Sequence, residues 1–505
     1  MPCTTILIGK KASYDGSTII ARNEDSSNGE FCPKRFVSVD PAGRSSYTSV
    51  ISHLTIPLPE SEGVRYTAVP NADLKEGLWE EAGVSARGVA MSATETITSN
   101  ERVLGADPMV VYRPAKGKPG EDGYEPEQPG GIGEEDMVTL VLPYMTSARD
   151  GVRRMGELLE RYGTYEMNAI AFSDPDEIWW METIGGHHWI ARRVPDNCYV
   201  TMPNQLGIDE FDLSDAAGEQ IKYMCSADLG EFMAAHHLDL TLDGHAKRFN
   251  PREAFGSHSD EDHVYNTPRA WAMQRFLNPH AEDWDNPRSD MSPFSDELPW
   301  ARIPERKLTI EDVKYVLSLH YQGTPYDPYG KGGDPALRGS LRPIGINRNS
   351  QLSVLQLRPY GAEAGRALQW ISFGSNAFNA IVPFYANVDD TPAYLRDTNP
   401  KQVSTDSFYW ANRLIAAMAD ADFADCAGAI EAYQLELGSL GHKIVSETDA
   451  KLAGEGLTGK NATAVLEAAN QRMADLAREK TDELLGKVLY VRSMSMKNHF
   501  SRSDA

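Results

Sequence analysis

MPCTTILIGKKASYDGSTIIARNEDSS, residues 1–27, is the stretch on which the fold turns. TTILIG and STIIAR are short runs rich in β-branched residues, and they flank KKASYD, with Asp15-Gly16 close to the second run. Two such runs around a turn signal predict an antiparallel hairpin. Opposed residues in a hairpin share a constant index sum, and a centre near residue 12 or 13 sets Cys3 opposite Arg22, to within about two residues. A cation beside a thiol favours the thiolate, which is the attacking species. Asp25 follows where the strand gives way to NEDSSNG, placed to accept a hydrogen bond from a nearby amine. If Met1 and Pro2 are removed, that amine is the α-amino group of Cys3 itself. Its ordinary pKa of about 7.7–8.0 suits it to take the thiol proton and return it to a leaving amine. The same residues also fit a buried strand cysteine beside an incidental arginine, because free cysteine often serves only as a small hydrophobe.

Beyond the hairpin, FVSV, RYTAV and GVAMSAT read as further strands broken by Gly, Pro, Asp and Ser clusters. Residues 113–136 are rich in Gly, Pro and Glu and predict an exposed excursion, followed by a helix over ARDGVRRMGELLERYG. Strands return at MNAIAFSD, EIWWMETI, HHWIARRV and CYVTM, and helices are expected at PRAWAMQRFL and TIEDVKYVLSLHY. QLSVLQL and ALQWISF form a later strand pair, and the tail from about residue 405 is helical, with Val465, Leu466, Ala469, Met473, Leu476 and Ala477 keeping one face apolar. Runs of strands separated by runs of helices, without regular βαβ alternation, favour α+β layers over a doubly wound parallel sheet.

Composition limits the partners. The chain has 505 residues, 41% hydrophobic and 24% charged, which is globular, and no stretch approaches the ~20 apolar residues of a membrane span. A formal net charge of −24 repels nucleic acid and anionic membranes, so neither is an expected partner. The five cysteines are widely spaced, which argues against a disulfide framework or a C-x-x-C site. Lys10 and Lys11 interrupt the first apolar run, so no secretory signal is read and a cytoplasmic location is expected. The histidine pairs at 187/188 and 236/237, with His258 and His263, lack an H-E-x-x-H arrangement or a partner cysteine pair, and no metal is expected. GKGGDPALRGS is not a phosphate loop, no G-x-S-x-G elbow is present, and no cofactor is called for.

The pairing of CTTILIG with ARNED resembles the N-terminal-nucleophile hydrolases, and specifically the C69 family of cysteine dipeptidases, to which the secernins are related. GVAMSATET, HYQGTPYDP, RPIGINRNSQLSVLQ and FGSNAFNAIVPFYANVDDTPAYL extend the resemblance over most of the chain. It implies a four-layer α-β-β-α sandwich of two antiparallel sheets with insertions, a catalytic domain over residues 3–404 and a helical segment over 405–490. It further implies hydrolysis of dipeptides through a thioester on Cys3, with Arg22 steadying the thiolate and Asp25 orienting the α-amine. The wider group, which includes bile salt hydrolases and penicillin V acylases, stabilises the oxyanion with an asparagine whose match here is Asn204 in YVTMPNQL, although Met202-Pro203 is inserted into the pattern. Its second arginine matches Arg269 in YNTPRAWAMQRF.

A dipeptide also presents a free ammonium, and Glu95 in SATET is the candidate to receive it. Small peptides are thus the expected partners, with a homo-oligomer suggested by the acidic surface and the resemblance. Cleavage of an N-acyl amino acid or bile-acid conjugate by the same apparatus, or a secernin-like protein without turnover, are the alternatives. Pro2 resists most aminopeptidases, so autocatalytic cleavage of the Pro2-Cys3 bond is the expected route to the free amine.

Overall fold

A computed structural model describes residues 3–27, 30–59, 62–242, 247–286 and 289–498. Met1 and Pro2, whose removal the sequence calls for, lie outside the described residues.

In chain order the strands of the two large sheets are β1 (Cys3–Ile8), β2 (Thr18–Asp25), β3 (Ala82–Val84), β4 (Ala90–Thr96), β5 (Asn168–Ser173), β6 (Ile178–Thr183), β7 (Trp189–Arg193), β8 (Tyr199–Met202), β9 (Tyr223–Cys225), β10 (Ala301–Arg302), β11 (Asn349–Leu357), β12 (Ala367–Phe373) and β13 (Val382–Tyr385). The helices that cover them are α1 (Glu134–Val141), α2 (Ala148–Tyr162), α3 (Thr267–Leu277), α4 (Ile310–Val316), α5 (Phe408–Ala419), α6 (Phe423–Glu455) and α7 (Gly459–Met494). One seven-stranded sheet runs β10-β8-β1-β2-β11-β12-β13, and one six-stranded sheet runs β9-β7-β6-β5-β4-β3. Every pairing within them is antiparallel, so the class is α+β.

Side chains alternate across a strand, and the apolar residues of β1 and β2 divide accordingly. Leu7 and Ile20 join Leu355 and meet Ala90, Ala169, Ala171 and Trp180 of the other sheet. Ile6 and Ala21 point the other way, into a cluster with Met273 of α3, Val313 of α4, Ile415 of α5, Leu437 of α6 and Met473 of α7. On the far side of the six-stranded sheet, Met91, Ile170, Phe172 and Met181 pack on Val138 of α1 and on Val152 and Leu159 of α2. Because both faces are covered, every residue of β1 and β2 is buried, polar ones included. Any charge on these strands must therefore find its partners inside the protein.

Two expectations are corrected. The hairpin pairs Cys3 with Glu24 and Thr5 with Arg22, so the register is displaced by two residues from the one that set Cys3 opposite Arg22. The reason is the lopsided connection: Gly16 takes φ 86°, and Asp15 folds back to accept from Ser17 N at 3.1 Å, which moves the symmetry point toward the second strand. The shift is even, so Cys3 and Arg22 keep the same face. The second correction concerns residues 113–136, read as wholly exposed. Exposure ends near residue 129; residues 130–136 are buried, and α1 begins inside that stretch at Glu134. The glutamates that looked like solvated loop charges are interior ones.

Ile20 faces the opposite sheet from the strand that carries Arg22. Ile20→Ala is expected to destabilise the protein by about 2–5 kcal/mol, read as a lower urea midpoint with an unchanged slope.

Candidate active site

Cys3 opens β1 and is fully buried, its side chain directed between the sheets with those of Thr5 and Leu7. Arg22 lies diagonally across on β2, and its Nη1 donates to Cys3 Sγ at 2.9 Å. The guanidinium is spread over the other sheet: Nε donates to Ser92 Oγ at 3.1 Å, Nη1 to Thr94 O at 2.7 Å, and Nη2 to Ala93 O at 2.8 Å and Glu81 O at 3.1 Å. Nη2 also donates to the Glu81 carboxylate, and Glu134 Oε1 stands 3.6 Å from Nη1. The register shift between Ala93 and Glu95 in β4 is what turns consecutive carbonyls toward one guanidinium.

Behind Arg22 the charges continue. Lys34 Nζ meets Glu24 Oε2 at 2.7 Å and Glu81 Oε1 at 3.5 Å, and donates to Asn71 Oδ1 at 2.7 Å. Glu81 is shared by Arg22 and Lys34 and holds φ 62°, a left-handed backbone that a non-glycine residue adopts at a cost of about 1–3 kcal/mol. Burial raises the carboxyl pKa of both Glu24 and Glu81, while the carboxylates around Lys34 hold its ammonium charged against the same burial.

These charges decide the state of the thiol. Burial raises the Cys3 pKa most; Arg22 lowers it, and Glu134 and Glu95 raise it again, leaving it well above the ordinary cysteine range. Arg22 was expected to favour a thiolate; burial together with the two carboxylates outweighs it. The balance of burial and charge at Cys3 therefore favours the neutral thiol over the thiolate.

The backbone of Cys3 is held by Asn204, which follows β8, and by Arg269 of α3. Cys3 N donates to Asn204 Oδ1 at 3.3 Å, and Arg269 of α3 donates through Nη1 to the Cys3 carbonyl and to Thr4 Oγ1, the latter at 2.7 Å. Arg269 Nη2 also reaches Asn204 Oδ1 and Asn266 Oδ1, each at 2.7 Å, and Asn204 Nδ2 donates to Thr96 O at 2.9 Å. Asp25, at the end of β2, receives Arg342 Nη2 and Asn349 Nδ2. The Tyr265 ring lies between the two arginines, 5.2 Å from Arg269 and 4.8 Å from Arg342. Burial and the nearby Arg342 lower the Arg269 pKa to about 10.

Glu95 is fully buried, its Oε2 accepting from Thr5 Oγ1 at 2.7 Å, and its Oε1 has no hydrogen-bond partner among the described residues. Burial raises its pKa to about 8, against the pull of Arg269.

Cys3, Arg22, Asn204, Arg269 and Glu95 thus converge, and Asp25 sits on the same strand in an ion pair with Arg342. Sequence reasoning did not find Lys34, Glu81, Glu134, Arg342 or Asn349. Glu81 in LWEEAGVS and Lys34 in FCPKRF are charges set in apolar contexts, and that is the only trace of them in the sequence. His187 and His188 do not join this site; both ring Nδ1 atoms are bonded to Asp107, at 3.0 and 2.7 Å.

Comparison with known proteins places the chain among relatives of similar sequence. The sequence profile described as Peptidase family C69 matches residues 2–436. A protein of Bifidobacterium longum named dipeptidase is 59% identical over 541 aligned positions, covering 100% of both chains. A protein of Streptococcus pyogenes named as a probable dipeptidase A is 51% identical, again over 100% of both chains. Among solved structures, penicillin V acylase from Agrobacterium tumefaciens matches at 11% identity with a TM-score of 0.31, covering 76% of this chain and 86% of its own, too distant to inform the site.

Arg22→Gln removes the cation that opposes the rise of the thiol pKa. Its alkylation midpoint at Cys3, followed by mass spectrometry of the N-terminal peptide, is expected to move to higher pH, with the rate at neutral pH falling about tenfold per unit. Arg22→Lys is expected not to restore it, because an ammonium cannot serve the forked set of acceptors.

Proposed function

The chain belongs to peptidase family C69, and from that premise we propose that it is a cysteine-type dipeptidase acting as an N-terminal-nucleophile hydrolase, with Cys3 as nucleophile. The observation that carries the mechanism is the Cys3 thiol within 2.9 Å of the buried Arg22 guanidinium, at the head of a strand whose first N–H lies on Asn204. The high thiol pKa supports a mechanism with an internal base. Once the bond before Cys3 is cut, the free α-amine takes the thiol proton as sulfur attacks the dipeptide carbonyl. Asn204 is the proposed donor to the oxyanion, through its Nδ2, and Arg22 stabilises the sulfur while it is anionic. The amine returns the proton to the leaving amino acid, and water then hydrolyses the thioester. Arg269 holds the Cys3 carbonyl and Asn204, and Asp25 orients the α-amine.

Glu95 is the proposed receptor for the substrate ammonium. Its unpaired Oε1 supports this: burial keeps the carboxyl largely neutral below about 8, and an ammonium brought to that oxygen favours the charged form. Four layers, helices outside and two sheets inside, follow from the same assignment. In it residues 3–404 carry the reaction and 405–490 pack as a helical segment. A cytoplasmic location and small peptide substrates complete the proposal. Among the described residues no helix is long and apolar enough to cross a membrane.

The intact mass of the purified protein is expected to correspond to a chain that starts at Cys3, and Cys3→Ala is expected to retain Pro2. A wild-type chain that turns over dipeptides with Pro2 still attached overturns the α-amine mechanism. Cleavage of N-acyl amino acids but not of dipeptides overturns the substrate assignment.

Asn204→Ala is expected to lower kcat by about 10²–10³, with a lower urea midpoint as well, because Cys3 N and Arg269 Nη2 lose their shared acceptor. Glu95→Gln is expected to raise KM for dipeptides while sparing an N-acylated analogue. Because the Glu95 carboxyl is neutral below about 8 and charged above it, dipeptide KM in the wild type should fall as pH rises toward 8. Glu95→Gln should remove that dependence, and equal losses on both substrate types would refute the role.

A further inference from the structure

Lys314, on α4, is a buried charge that the reaction leaves without a task. It is 9% exposed, and its Nζ donates to Ser318 Oγ at 2.8 Å and to Asn376 O at 2.6 Å. An ammonium has a third N–H, and no charged neighbour offsets the burial of this one, which lowers its pKa to about 7. The residue lines a cavity of about 330 Å³ on the helix-covered side of the seven-stranded sheet, away from the side on which Cys3 meets Arg22. Trp370 of β12 and Phe423 and Ile430 of α6 supply apolar walls.

Other charged groups at this cavity are already paired. Glu311 bonds to His442 Nε2 at 2.6 Å, and His320 to Asp327 at 2.9 Å. Glu431, on the same turn of α6 as Ile430 and exposed at the cavity, makes no ion pair among the described residues. A buried lysine and an exposed glutamate, neither in an ion pair among the described residues, therefore line one apolar cavity without pairing with each other. A fatty acid would meet the first and leave the second unmet, and an amine would do the reverse.

We propose that this cavity binds a free α-amino acid with an apolar side chain, its carboxylate on Lys314, its ammonium toward Glu431 and its side chain against Trp370, Phe423 and Ile430. Such a molecule is of the class that dipeptide hydrolysis releases, yet the binding site stands whether or not that reaction is the right one. A buried lysine gains from a carboxylate brought to it, because the pair replaces solvation lost on folding.

Calorimetric titration of the full-length protein with L-leucine tests this. L-Leucine is expected to bind at one site outside the active centre, with leucinamide, which lacks the carboxylate, and 4-methylpentanoate, which lacks the ammonium, each weaker by about tenfold or more. Lys314→Met is expected to abolish the binding and leave dipeptide turnover unchanged. Ala427→Trp, which fills the cavity from α6, should do the same and decides the matter if Lys314→Met does not fold. Leucine binding that survives in both variants places the amino acid elsewhere and overturns the proposal. Equal affinity for 4-methylpentanoate reduces the cavity to an anion site and overturns it too, as does the absence of any heat at about 10 mM leucine, where a millimolar Kd would still register.

Discussion

A guanidinium sealed between two β-sheets is tolerated only when its N–H groups all find acceptors, and the packing of this protein is organised around that demand at Arg22. Ser92, Ala93, Thr94 and Glu81 supply it from the six-stranded sheet and the segment leading into β3, and Cys3 supplies it from the neighbouring strand. Strand β4 must be irregular to present consecutive carbonyls to one side, and Glu81 must take a left-handed backbone to reach the same group. Apolar packing of Leu7, Ile20 and Trp180 holds the sheets together, but it is indifferent to small sliding movements. The arginine is not, because a slip of one residue would strand several buried donors.

This polar core is chemically poised as well as structurally exacting. Arg22 and Lys34 face Glu24, Glu81 and Glu134 in a closed region where each added charge is felt at short range. Burial first, and the surplus of carboxyl groups after it, pushes Glu24 and Glu81 toward their neutral forms and raises the Cys3 thiol pKa although it touches an arginine. A preformed thiolate would have to be sustained against burial and two carboxylates. The proposed mechanism avoids that cost, because in it the thiol ionises only as a base at its own residue accepts the proton, and the anion exists only while Arg22 has a use.

Much of this was legible in residues 1–27, and the reasons differ from residue to residue. The hairpin showed because β-branched runs flanked a turn, and an even displacement of register left Cys3 and Arg22 facing the same way, so their contact survived an error in their pairing. Asn204, Arg269 and Glu95 were found through resemblance alone, since their neighbourhood to Cys3 depends on strand order β8-β1-β2 and on the facing sheet, which no local pattern encodes. Glu134 was misread because a Gly- and Pro-rich run looks solvated whether it ends in water or, as here, dives beneath a sheet. Lys34 and Glu81 were missed for the converse reason. Buried charge has no sequence signature of its own, because the same residue types in the same local contexts usually face solvent.

Two cations divide the work of positioning Cys3. Between the sheets, Arg22 holds the sulfur; from α3, Arg269 holds the carbonyl of the same residue and the asparagine that accepts from its amide nitrogen. Side chain and backbone of one residue are thereby fixed by separate cations carried on separate elements, β2 and α3. In the proposed mechanism, where Cys3 is both nucleophile and base, this double anchorage matters because the relation between sulfur and nitrogen within the residue is set by one torsion. Rigid contacts on both sides fix that torsion at small entropic cost during turnover. The position of Cys3 at the start of a central strand, and not on a loop, suits the same proposed requirement.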